Sequence, residues 1–489
     1  MGNPRPLNLS ADSYRVDTNF NLCNKMDTMR LISHEPDFTG VFPDKRLDKR
    51  ASKITSLLAA SRSSSIKGST LNEAEQKGFY RFLENEDVKE KQLVLEMQRR
   101  CARNVNGYHV LAISDTTSIG LSEKRNRLKP SSGVGLVGNK EGLGFLVHAS
   151  LVLHADYRTM LGYSAIKLWH RTEDKANNTT RIYKKQPIEE KESFKWIESS
   201  LETKRVLAAA KLITIIEDRE GDIYEQFCLI PDGKTHLIVR NRDNRCLANG
   251  EKLHDRLART PVSGKYEIYV TGDPRKNNLS RKAKIAVKYS PVTILRPSDV
   301  RTDLPKQITL YAVEAEEIKG PKDGSIMWRL LTTYKVESFN DALNIIGMYK
   351  KRWYIEQVFR LLKKQGVRIE SSELGTGWAI RKLTLLWMNN ILRIMQLYLA
   401  FGNEEAQAVK EVFSESEIQC LRDIGRSLNI TNRYRLAKLS WASDIIARIG
   451  GWKGDPKQRP PGPITMKRGY EKFEAMYNGW CIAKDVSTP

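Results

Sequence analysis

Two apolar runs that end in an aspartate constrain this chain more than any other feature. VLAIS (110–114) leads into Asp115, and LITIIE (212–217) leads into Asp218. Short runs rich in Ile and Val, bounded by polar residues, read as buried strands. A lone Asp at a strand end is most often a turn or N-cap residue. The second run is more telling, because Glu217, Asp218, Glu220 and Asp222 crowd its end. Alternation along a strand puts neighbours on opposite faces, so Glu217 and Asp218 cannot serve one site.

The surrounding pattern gives these strands a context. Strand-like segments at 109–118, 145–155 and 160–170 are followed by a helix at 190–209, a strand at 211–222, a helix in IYEQFCLI and a strand at 236–241. Three strands, helix, strand, helix, strand is the order of an RNase H-like core, an α/β fold expected over 89–402, although another α/β fold could share the pattern. Helical periodicity disappears between about 242 and 336, where KYEIYVTG, KAKIAVKYS, QITLYAVEAEE and SIMWRLLTTY predict an inserted β-subdomain. Residues 1–25 are polar and aperiodic and are expected as a disordered tail. Residues 26–88 carry basic amphipathic helices, as in DKRLDKRASKITSLLAA and LNEAEQKGFYRFLENEDV, joined by a Ser-rich break. Residues 403–489 are again helical and basic, with a Pro-rich joint at 454–463.

The charge narrows the partner. A formal charge of +23 over 489 residues predicts a polyanion, and nucleic acid first among polyanions. The most apolar stretch, 383–400, is interrupted by Asn389, Asn390 and Arg393, so it reads as a buried helix and not a membrane span. Six cysteines (Cys23, Cys101, Cys228, Cys246, Cys420 and Cys481) form no Cys-x-x-Cys pair, which argues against a zinc knuckle and fits a reducing cytosol. With no apolar leader at the N-terminus, a cytoplasmic, nucleoid-associated protein is expected.

A third carboxylate comes from Tyr349-Lys-Lys-Arg352-Trp-Tyr-Ile-Glu356-Gln-Val-Phe-Arg-Leu-Leu-Lys363. On one continuous helix, at roughly 100° per residue, Tyr349, Arg352, Glu356 and Lys363 fall within a stripe of about 60°. Three carboxylates with a cationic rim are chemically sufficient for metal-assisted phosphodiester chemistry, because Mg²⁺ takes oxygen ligands and leaves positions for phosphate.

These residues resemble the Tyr-x2-Arg-x3-Glu-x6-Lys signature of bacterial DDE transposases of the transposon-five type, within the insertion-sequence-four group. Tyr349, Arg352, Glu356 and Lys363 match every spacing, and DTTS (115–118), VHASLVL (147–153), EKESFKW (190–196) and EDREGDIY (217–224) match neighbouring blocks. The resemblance runs from about residue 43 to about residue 480. It implies a cut-and-paste transposase that binds terminal repeats, excises through a DNA hairpin and joins 3′-OH ends to target DNA. It further implies that Asp115, Asp218 and Glu356 hold two Mg²⁺ ions, for which Mn²⁺ can substitute. Tyr349, Arg352 and Lys363 would hold the backbone near the scissile phosphate. Trp328 would stack on a flipped base, against the simpler reading of a core Trp, and Arg240, Arg242 and Arg245 would line the DNA channel. Lys45, Arg46, Arg50, Arg62, Lys67 and Arg81 are the end-binding candidates, although Leu47-Asp48 separates two basic pairs where relatives set arginines close together. The C-terminal helices would pair two subunits in a synaptic homodimer. Two other readings remain open from sequence: a silent DNA-binding regulator, and an RNase H-like structure-selective nuclease.

Overall fold

The computed structural model describes residues 35–487 apart from 62–63, 71, 125, 129–131, 139–141, 172–185, 271–279, 322–323, 364, 433 and 456–457. The tail expected at 1–25 and Arg62 lie outside the described residues.

The chain opens with α1 (Lys45–Ala59), α2 (Glu73–Glu84) and α3 (Glu90–Asn104). Asp44 caps α1 by accepting from the Arg46 amide, and Asn72 caps α2 by accepting from the Glu75 amide. Buried Asp48 accepts from the Gly40 and Phe42 amides at 2.9 and 3.0 Å, folding residues 38–42 back over α1.

The sheet begins with β1 (His109–Gly120), β2 (Gly135–Val137), β3 (Gly142–His154) and β4 (Met160–Trp169). Next come α4 (Phe194–Val206), β5 (Leu212–Glu217), α5 (Tyr224–Leu229) and β6 (Thr235–Arg240). β1 is antiparallel to β3 and β3 to β4, whereas β1, β5 and β6 run parallel, giving the order β4-β3-β1-β5-β6. Parallel neighbours need crossovers, and α4 and α5 supply them.

The region expected as a β-insert provides β7 (Gly264–Val270), β8 (Arg281–Leu295), β9 (Gln307–Glu317) and β10 (Met327–Thr332). These strands continue the same sheet, because β10 pairs antiparallel with β6 through Leu330 opposite Arg240. A helix, α6 (Leu253–Arg259), also lies there, correcting the expectation that helix is absent from 242–336. Only Leu253 and Leu257 of its seven residues are buried, too few to leave a periodic signal.

α7 (Phe339–Lys350), α8 (Trp353–Leu362) and α9 (Gly377–Ala400) follow, then α10 (Glu415–Ser427), α11 (Leu439–Ile449) and α12 (Pro463–Ser487). The single helix expected through Tyr349 and Glu356 is in fact two. The Lys351 and Arg352 amides donate to Met348 and Tyr349, three residues back, and this tighter turn separates α7 from α8. α9 is buried along almost its whole length. No described helix is long and apolar enough to cross a membrane. Instead α9 is the spine of one contiguous core that takes Ile54 and Phe82 from α1 and α2, Leu386 and Met395 from α9 itself, and Ile446 and Phe473 from α11 and α12. The opposite face of the sheet has its own core, in which Ile213, Ile215 and Leu237 meet Trp196 and Phe227 of α4 and α5.

Candidate active site

The site forms where β1 and β5 part. Their parallel pairing ends at Ile113 opposite Ile216. Both of these side chains face the core shared with α7, α8 and α9. Asp115 and Asp218 lie two residues further along each strand and inherit that face. Asp115 is not at the end of its strand as expected, since β1 continues to Gly120 against β3. It sits at the end of the parallel pairing, because β3 supplies a partner after β5 has turned away. Glu217 takes the other face, as alternation requires. It is fully buried, accepts from Ser200 Oγ at 3.1 Å and Gln226 Nε2 at 2.7 Å, and burial pushes its carboxyl well above the usual range.

α8 brings the third carboxylate. Its Ile355, Val358, Leu361 and Leu362 are buried, which fixes its rotation and turns Glu356 towards β1. Arg352, the N-cap of α8, lies among all three acids. Its Nη1 is 3.2 Å from Asp115 Oδ2 and 3.9 Å from Asp218 Oδ2, and its Nη2 donates to Glu356 Oε1. Asp218 also accepts from the Tyr349 hydroxyl at 3.3 Å and lies 3.9 Å from Arg240 Nη1. The Thr116 amide donates to Asp115 Oδ1 at 2.8 Å.

This environment separates the three acids electrostatically. Burial pushes Glu356 up to about 7 and Asp115 up to about 6, and Arg352 only partly offsets it. Burial acts on Asp218 as well, but Arg352, Arg240, the Arg219 amide and the Tyr349 hydroxyl together hold it below its ordinary value. Bringing a cation to the site would favour the charged form of each. The donor set, carboxylate oxygens alone, suits Mg²⁺ or Mn²⁺. Among the described residues, however, no group of three His, Cys, Asp or Glu is spaced to hold a metal. The guanidinium occupies the middle.

The rim includes several other expected residues. Trp328 on β10 is half-buried and meets Tyr349 edge to face, with ring centroids 5.6 Å apart. Arg240 at the end of β6 also reaches the Met327 carbonyl at 3.4 Å. Lys363 caps α8, where burial lowers its affinity for a proton and the charges of Glu370 and Asp115 partly restore it. Arg242 is exposed and pairs with Asp243 at 3.0 Å. Arg245 does not line an open channel. Its side chain is 8% exposed and its Nε donates to fully buried Asp222 at 2.9 Å. Asp222 also accepts from the Asn241 side chain at 3.0 Å and the Arg242 amide at 2.8 Å, which pins the loop after β6.

Residues 39–88 match the family model for a transposase DNA-binding domain. A solved structure, the piggyBac transposase synaptic complex with hairpin DNA, overlays at a TM-score of 0.38 and 9% identity, covering 94% of this chain and 83% of that one. That likeness is too distant to assign either fold or function.

The matched segment carries all six candidate end-binding cations, Arg62 among them outside the described residues. Lys45, Arg46, Lys67 and Arg81 are exposed, while Arg50 is partly covered by α2 at Gly78. Arg46 also pairs with Asp44 at 3.0 Å, with 91% of its side chain exposed, so the pair can open at little cost when a phosphate approaches. Asp222 and Thr116 were not singled out from sequence. The acid cluster around Asp218 hinted at the first, but the bond from the Thr116 amide to the carboxylate of its neighbour Asp115 leaves no signal in the sequence.

Proposed function

We propose that this chain is a cut-and-paste DNA transposase of the DDE type. It would bind the terminal repeats of its element, nick and excise through a hairpin, and join the freed 3′-OH ends to target DNA as a homodimer. One observation carries the reading: acids from three separate segments, Asp115 on β1, Asp218 after β5 and Glu356 on α8, converge on a single point. The strand order β4-β3-β1-β5-β6 supports an RNase H-like core, the similarity over 39–88 supports DNA binding by the N-terminal helices, and the net charge suits a polyanion.

Asp115, Asp218 and Glu356 would hold two divalent ions, whose contribution when bound is to neutralise phosphate charge and make water more acidic. The protein's own part is positioning. Arg352, Lys363 and Arg240 offer cationic donors to non-bridging oxygens. Tyr349 orients Asp218 through its hydroxyl and packs beneath Trp328, whose remaining exposed surface is available to a base. The buried aliphatic residues of α8 hold Glu356 in place while DNA is bound.

The test is a reaction with two DNA ends of the parent element and a supercoiled target, resolved into nicked, hairpin, blunt and joined products. Mg²⁺-dependent joining supports the proposal. Cleavage without joining would indicate a nuclease, and binding without either would indicate a regulator.

A further inference from the structure

The arrangement of Arg352 has a consequence for how ions and DNA load. One guanidinium contacts all three acids while its own side chain is only 10% exposed, so it is held in place and does not sample solvent freely. Mg²⁺ binds oxygens at about 2.0–2.1 Å, so two ligand oxygens on one ion lie at most about 4.2 Å apart. Here the Arg352 Nη1 faces both Asp115 and Asp218, at 3.2 and 3.9 Å, and Nη2 faces Glu356, so the guanidinium fills the space among the three acids that an ion would need. As the side chains stand, no group of three acids among the described residues is spaced for a metal. For ions to enter, Arg352 has to leave and the carboxylates have to close in.

We propose that Arg352 is an exchangeable place-holder: it neutralises the three acids before loading and moves to a DNA phosphate as divalent ions take its position. This rests on the reading that Asp115, Asp218 and Glu356 form the ion site. A phosphate diester is the fitting acceptor, because a planar guanidinium pairs with its oxygens through two parallel hydrogen bonds, as it does with a carboxylate. The swap conserves charge pairing at every stage. The acids exchange one cation for another, and the guanidinium exchanges one anion for another. Arg240, 3.9 Å from Asp218, and Lys363, within reach of the Asp115 charge, keep the rim positive while Arg352 moves. Ion binding and DNA binding are then coupled, each easing the other by the same factor. Without DNA, the ion site is closed by the protein's own cation.

The experiment measures Mn²⁺ binding to the full-length protein without DNA, by the electron paramagnetic resonance of free Mn²⁺. Wild type is compared with Arg352→Gln, Arg352→Lys, and Arg352→Gln combined with Asp218→Asn. Arg352→Gln should bind Mn²⁺ on the order of tenfold or more tightly than wild type, equivalent to about 1.4 kcal/mol. Arg352→Lys, whose compact ammonium cannot bridge three acids, should fall between them. Circular dichroism melts identify a variant that has not folded, and Arg352→Lys then carries the comparison. Equal or weaker Mn²⁺ binding in folded Arg352→Gln and Arg352→Lys overturns the place-holder. If tight binding appears but survives Asp218→Asn, the ions lie elsewhere and the functional reading itself fails.

Discussion

Asp222→Ala should loosen the loop that follows Arg240, the last residue of β6. The side chain is fully buried and accepts from Arg245 Nε at 2.9 Å, the Asn241 amide group at 3.0 Å and the Arg242 amide at 2.8 Å. Its removal leaves the Arg245 guanidinium, 8% exposed, without its counter-charge. Breaking a buried ion pair by deleting one partner costs about 3–5 kcal/mol, more than the sum of ordinary hydrogen bonds would suggest, because the stranded charge stays desolvated. The local readout is amide hydrogen exchange. The Arg242 amide, which now donates to the carboxylate, should exchange at least about a hundredfold faster. Adding Arg245→Met should recover much of the stability by removing the stranded charge, although the loop stays untethered from Asp222. A loss below about 1 kcal/mol for Asp222→Ala, or a double variant worse than the sum of its singles, would refute the assignment of Asp222 as the anchor.

Other outcomes follow from the same geometry. Trp328→Ala should leave first-strand nicking largely intact and slow hairpin formation or opening, because base–aromatic stacking is worth about 1–3 kcal/mol; equal loss at every step with a lowered melting temperature would make it a core residue only. With burial raising Glu356 to about 7 and Asp115 to about 6, the folded state holds protons that the unfolded chain has released. Ion-free stability should therefore be highest at about pH 4–5 and fall as pH rises through 7, by roughly 4–5 kcal/mol for the two groups together. Glu356→Gln should flatten that slope in melts from pH 5 to 8, and an unchanged slope would count against it. Binding to DNA should weaken steeply with salt as counterions are released, and a nearly flat dependence would argue against an extended backbone interface.

The parts of this structure that local pattern controls were legible in the sequence. β1, β3, β4, β5 and β6 fall close to the expected strands because each is an apolar run between polar breaks. The opposite placement of Glu217 and Asp218 needed only strand alternation. Features set by tertiary contact were not legible. The turn at Lys351 and Arg352 breaks a helical run that holds no Pro and only Gly347, a full turn before the break, so no residue at the break itself signals it. The extension of β1 beyond Asp115 depends on pairing with β3. Arg245 looked like another exposed cation of a basic loop, and only the fold shows that Asp222 has buried it. The three acids could be named individually, whereas the guanidinium between them required coordinates.

The most direct measurement of the central claim is a strand-transfer assay on paired terminal DNA with Mg²⁺, comparing wild type with Asp115→Ala, Asp218→Ala and Glu356→Ala, with end binding followed in parallel by gel shift. If the three acids are the catalytic set, each variant retains DNA binding and loses both nicking and joining. Substantial Mg²⁺-dependent cleavage by any one of them would remove that residue from the set and contradict the account.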